Sequence, residues 1–132
     1  MSNTNYNNFE KIVNKAILDL PEKIRNLLEN VEIVIEDYPN EYQLKKVNKI
    51  SKYSLLGLYE GVPKTKRGAH YANVLPDKIT IFQKNIERIA RNSNEIENII
   101  RRTVYHELAH HFGFDEKGAR EIEKKYKSKT NS

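Results

Sequence analysis

The apolar positions of this chain switch between helical and strand spacing several times. Phe9, Ile12, Val13, Ala16, Ile17 and Leu20 recur every three or four residues and predict an amphipathic helix over about residues 8–19. Pro21 suits the first turn of a second short helix carrying Ile24, Leu27 and Leu28, which Asn30 ends. Val31 to Glu36 is short, β-branched and bounded by turn residues, so it reads as a strand. Residues 40–53 are polar, lysine-rich and weakly periodic, which leaves a loop and a short helix both open. Ser54 to Glu60 reads as a second strand ended by Gly61-Val62-Pro63, and a surface loop from Lys64 to Asn73 follows. Asp77 to Gln83 alternates and gives a third strand. Pro76 assigns it to a sheet edge, because proline cannot donate to a ladder. Asn85 to Arg91 fits one more helical turn.

Asn92/Glu95 and Asn94/Glu97 are both spaced like capping boxes, and a helix runs from there to Phe112. At 100° per residue, His106 and His110 share a stripe with Ile99 and Thr103, while Asn98, Arg101, Arg102 and Tyr105 gather opposite. The wheel therefore turns both imidazoles to the inward, apolar side. Gly113 can adopt the left-handed conformation that stops a helix. Asp115 or Glu116 then starts a last helix through Ala119, Ile122 and Tyr126. The expected fold is α+β: N-terminal helices, a three- or four-stranded sheet, a long helix and a short C-terminal one.

Composition narrows the class. At 132 residues the chain fits one domain, residues 1–132, with tails at 1–7 and 128–132. A charged fraction of 31% and a mean hydropathy of −0.77 describe a globular chain with no membrane-spanning run. The N-terminus has no secretory pattern, and the absence of cysteine removes disulfides and thiolate ligands, so a cytoplasmic location is expected. The net charge of +5 comes largely from Lys45, Lys46, Lys49, Lys52, Lys64, Lys66, Arg67 and the lysine-rich tail. Such clusters are usually solvated faces, and no nucleic-acid motif accompanies them. A monomer is the default.

Three of the four histidines lie in Tyr105-His106-Glu107-Leu108-Ala109-His110-His111-Phe112-Gly113-Phe114-Asp115-Glu116. His-Glu-x-x-His puts His106 and His110 on one helix face, where two neutral imidazoles can share one Zn²⁺ and Glu107 can act as general base. The pattern also arises by accident. The glycine at the expected helix stop and the acids after it favour a metal site. Catalytic zinc keeps three protein ligands and a water, and the turn at Gly113 is suited to bring a third ligand back. Glu116 ranks first for that role, standing six positions after His110 in a run that resembles the longer zincin pattern His-Glu-x-x-His-x-x-Gly-x-x-(His/Asp), which places its third ligand at that interval. Asp115 is the alternative, with helix N-cap as its plainer role. His111 points away from the pair and fits packing behind it. His70 fits a loop histidine, while Tyr59 and Tyr71 could reach a substrate but fit core or surface better.

Ala16 to Pro21, Asn30 to Glu36, Leu55 to Pro63, Leu75 to Ile79 and His106 to Glu116 together resemble the small bacterial minimal zincins. That zinc metallopeptidase family has a matrix-metalloprotease-like, metzincin-like fold. The resemblance implies an α+β core with a small sheet over the active-site helix. It also implies a third ligand that is typically an aspartate six residues after the second histidine, so a glutamate at 116 or a shifted Asp115 departs from the pattern. The metzincins' methionine turn has no counterpart, since Met1 is the only methionine. The thermolysin-like arrangement takes a glutamate from a helix well downstream, for which Glu121 and Glu123 fit poorly.

The expected activity is zinc-dependent peptide hydrolysis of a peptide or protein substrate, with Ile79 to Gln83 holding the substrate by strand addition. Two other functions compete with it: a zinc-stabilised domain without catalysis, and a basic module for nucleic acid or an acidic partner.

Overall fold

Phe9, Val13, Ala16 and Leu20 are all buried, so the first helical stripe faces a core as its spacing requires. The computed structural model describes residues 6–48, 51–61 and 76–113. They form α1 (Tyr6–Leu18), α2 (Glu22–Leu27), β1 (Val31–Glu36), α3 (Glu41–Lys46), β2 (Gly57–Glu60), β3 (Asp77–Phe82), α4 (Gln83–Ile89) and α5 (Ser93–Phe112). The fold is α+β. α1 lies along α5, and α5 packs beneath β2 and β3. Ile79 and Ile81 meet Ile96, Ile99, Ile100, Val104 and Leu108 in the shared core.

The sheet order is β1-β3-β2, with β3 parallel to β1 and antiparallel to β2. This corrects the edge position expected for residues 77–83: β3 is the central strand. Pro76 stands just before the first paired residue, Asp77, so its missing N–H costs the ladder nothing. Gln83 belongs to α4, not to the strand.

The ambiguous stretch after residue 40 is helical at its start because its cap is complete. Asn40 Oδ1 accepts from the Gln43 N–H at 2.8 Å, and Gln43 Oε1 accepts from the Asn40 N–H at 3.0 Å. The segment leading into β2 is seated by buried Asn85, whose Nδ2 donates to the Lys52 and Leu55 carbonyls, each at 2.7 Å. Strand pairing therefore begins only at Gly57, three residues later than expected.

α5 starts at Asn92, whose Oδ1 accepts from the Glu95 N–H at 2.9 Å. Glu95 Oε1 reaches past the cap to the Arg91 N–H at 2.8 Å, so the box closes one residue early. Two positions expected on the outer face are buried. Arg101 lies between Glu97 at 2.9 Å and Asp19 at 3.6 Å, and Tyr105 joins the core, because α1 covers that flank.

His70, Tyr71, Asp115, Glu116, the last helix and the tail beyond it lie outside the described residues. So do the loop from 64 to 73 and residues 1–5 of the expected N-terminal tail; residues 6 and 7 begin α1. Among the described residues, no helix is long and apolar enough to cross a membrane.

Candidate metal centre

The last turns of α5 carry every histidine among the described residues. Gly113 ends the helix at φ +82°, and its N–H donates to the Ala109 carbonyl at 2.8 Å. This is the left-handed stop that the sequence predicts.

The rings of His106 and His110 lie 4.6 Å apart, centre to centre, with planes inclined at 63°. One ion ~2.0–2.1 Å from a nitrogen of each ring needs ring centres about 5 Å apart. The pair fits that demand. Among the described residues, no third His, Cys, Asp or Glu completes a metal-holding group with them. The expected inward placement is corrected, since both imidazoles are exposed. Their stripe is buried at Ile99, half-buried at Thr103 and open by the last two turns, so periodicity located the stripe but not its opening.

Glu107 sits round the helix from the pair, towards the sheet. Its Oε1 accepts from the Tyr59 backbone N–H at 2.9 Å. Burial pushes the Glu107 carboxyl above its ordinary pKa, against the opposing pull of that N–H and of His106 and His110. Phe82 N–H donates to the Leu56 carbonyl, so Leu56, Leu58 and Glu60 turn their backbone groups to β3. Gly57 and Tyr59 turn theirs to the outer edge, where Glu107 meets the Tyr59 N–H.

Gly57 lets the two elements approach. A Cβ at that position would lie 2.5 Å from Thr103 Cγ2 and 3.2 Å from the Thr80 carbonyl oxygen. The sequence offers Tyr59 a core or surface place ahead of a reach to substrate, and gives Asp77 no role beyond opening a strand. In the structure the Tyr59 hydroxyl donates to Asp77 Oδ2 at 2.5 Å. The Tyr59 ring stacks on His111 at 4.0 Å and 18°. His111 thus packs away from the pair, with its Nε2 4.0 Å from Asp77 Oδ2. No residue spacing announces these contacts, because they join three separate elements.

Residues 28–126 match the zincin-like metallopeptidase family. The chain belongs to that family. The match takes in the sheet, α5 and the two acids beyond Gly113, and its members bind zinc. It leaves out α1, although that helix covers one flank of α5. No curated protein sequence matches the chain.

Proposed function

We propose that this zincin-like protein is a zinc-dependent peptidase in which Glu107 is the general base. The observation that carries the reading is the division of labour on α5. The rings of His106 and His110 lie 4.6 Å apart on one side, while Glu107, between them in sequence, is held by the sheet. His106, His110 and Glu116 would hold the metal, with Asp115 as the alternative third ligand.

When bound, zinc supplies a Lewis acid that makes water nucleophilic near neutral pH and polarises the scissile carbonyl. Glu107 takes the proton from the attacking water and delivers it to the leaving nitrogen, so the C–N bond breaks with an amine as product. Partial burial suits this duty, since a carboxyl raised above its ordinary pKa is a better proton acceptor. One oxygen, Oε1, is fixed by the Tyr59 N–H.

The substrate is a peptide or protein segment in extended form. Both edges of β3 are paired, with β1 on one side and β2 on the other, so the strand addition expected at Ile79 to Gln83 is closed to it. A cysteine-free chain of this kind suits the reducing cytoplasm.

The test pairs metal analysis with cleavage of a peptide library. Wild type is expected to hold about one zinc per chain and to cleave, whereas Glu107→Gln keeps the zinc and loses cleavage. A zinc-loaded wild type that cleaves nothing overturns the peptidase reading.

A further inference from the structure

Tyr59 is fixed at three points. Its backbone N–H is bonded to Glu107 Oε1 at 2.9 Å, its hydroxyl to Asp77 Oδ2 at 2.5 Å, and its ring lies on His111 at 4.0 Å. Phe112 adds an edge contact to the same ring at 6.4 Å. Asp77 is the common neighbour, because its Oδ2 also faces His111 Nε2 at 4.0 Å. Gly61 closes the group, since even a Cβ there would lie 3.5 Å from His111 Cε1 and 3.6 Å from Asp77 Oδ1. Three elements meet at this point: the end of β2, the first residue of β3 and the last turn of α5.

We propose that Asp77 is a positioning residue for Glu107, acting through Tyr59. A glutamate has three rotatable side-chain bonds, and α5 alone does not choose among their settings. Tyr59 makes the choice, because its N–H offers one fixed donor on the edge of β2. That donor stays in place only while the end of β2 stays against α5. The strand is four residues long and ends one residue past Tyr59, at Glu60, so its own ladder holds this end weakly. Glu60 ties the end of the strand to α3 and Lys78, on the side of β3 and away from α5; Asp77 adds a hold on Tyr59 itself. It grips the hydroxyl at the far end of the ring, and His111 grips the ring's face. Asp77 touches no reacting atom in this arrangement.

The inference rests on the peptidase reading for its purpose but not for its test. Amide hydrogen exchange at residue 59 reads the clamp directly, with no metal and no substrate. Asp77→Asn and Tyr59→Phe are near-isosteric, and Tyr59→Phe serves if Asp77→Asn does not fold. Each is expected to speed exchange of the residue-59 amide by about tenfold or more while core amides such as those of Ile100 and Val104 keep their wild-type rates. Exchange at the wild-type rate, or equal acceleration of every amide, overturns the clamp. With a cleavable peptide, the same variants are expected to lose about tenfold in kcat with KM nearly unchanged. Unchanged kcat in a variant whose residue-59 amide has been loosened also overturns it. A clamp intact by exchange in a protein that cleaves nothing counts against the peptidase reading alone.

Discussion

The Tyr59 N–H and the Glu107 carboxylate meet at 2.9 Å, so the glutamate of the His-Glu-x-x-His helix is held by the sheet and not by its own helix. The bond joins residues 48 positions apart. It ties the chemistry proposed for α5 to the packing of the whole fold.

That placement has a thermodynamic consequence. Burial raises the Glu107 pKa above its unfolded value of ~4.3, so the folded state binds the proton more tightly. The buried charge therefore opposes folding at neutral pH, and the opposition fades as pH falls through the raised pKa. Metal-free Glu107→Gln should melt higher than metal-free wild type at pH 7, with the gap closing as pH approaches about 4. Thermal melts by circular dichroism across that range decide it; a lower midpoint for the variant at pH 7 contradicts it.

The approach of β2 to α5 depends on Gly57. An added methyl would meet Thr103 Cγ2 at 2.5 Å, a distance that packed carbons do not tolerate. Gly57→Ala should destabilise the protein by about 1–3 kcal/mol. Thr103→Ser removes the obstructing methyl, so it should recover stability in the Gly57→Ala background while costing some in the wild type. Denaturant melts of the four proteins give the coupling. Strict additivity would mean that the two residues do not obstruct each other.

The elements that local physics governs were legible in the sequence: the α1 stripe, the β-branched run of β1, the glycine stop at 113. The α3 cap was equally local, since Asn40 and Gln43 stand three apart, but the lysines around it obscured the signal. Three features needed the fold. The central position of β3 depends on which strands flank it, and Pro76 is silent on that. The exposure of His106 and His110 depends on where neighbouring elements stop along α5. The Tyr59, Asp77 and His111 contacts join residues that no periodicity relates. The shared helix face of His106 and His110 could be read, and the contacts that hold Glu107 between them could not.

Glu60 ties α3 to β2 by accepting from Lys46 Nζ at 2.9 Å and Gln43 Nε2 at 3.1 Å. Burial alone would raise the Glu60 pKa. The donors Lys46 and Gln43, with the charges of Lys46 and Lys78, outweigh it and bring it below the ordinary value. Glu60 in turn raises the Lys46 pKa above 10.5. A depressed carboxyl stabilises above its unfolded pKa and stops doing so as pH falls through the folded one. A raised amine stabilises below its unfolded pKa and loses this as pH rises through the folded one. Glu60→Gln should therefore destabilise between roughly pH 5 and 10, and much less at pH 3. With the Lys46 side chain 39% exposed, the loss should be only about 0.5–1 kcal/mol and should shrink in 1 M salt. A pH-independent loss would assign the effect to packing.

The two acids after Gly113 should separate by the kind of damage their removal does. A third ligand acts on the metal, so its loss lowers zinc affinity steeply, by about a hundredfold or more, while the metal-free protein melts almost unchanged. A helix N-cap acts on the chain, so its loss costs about 1 kcal/mol with or without zinc and moves zinc affinity little. Glu116→Ala is expected to show the first signature and Asp115→Ala the second. Zinc titration against a competing chelator, run beside melts of the metal-free proteins, reads both at once. Because a ligand that binds only the folded state adds about 2.7 kcal/mol at a hundred times its Kd, zinc should raise the melting midpoint of Asp115→Ala but hardly that of Glu116→Ala. The reverse pairing would make Asp115 the ligand, with the chain re-entering the site one residue earlier after the left-handed turn at Gly113. Ordinary zinc affinity in both variants would remove both acids from the metal and send the search for a third donor elsewhere in the chain.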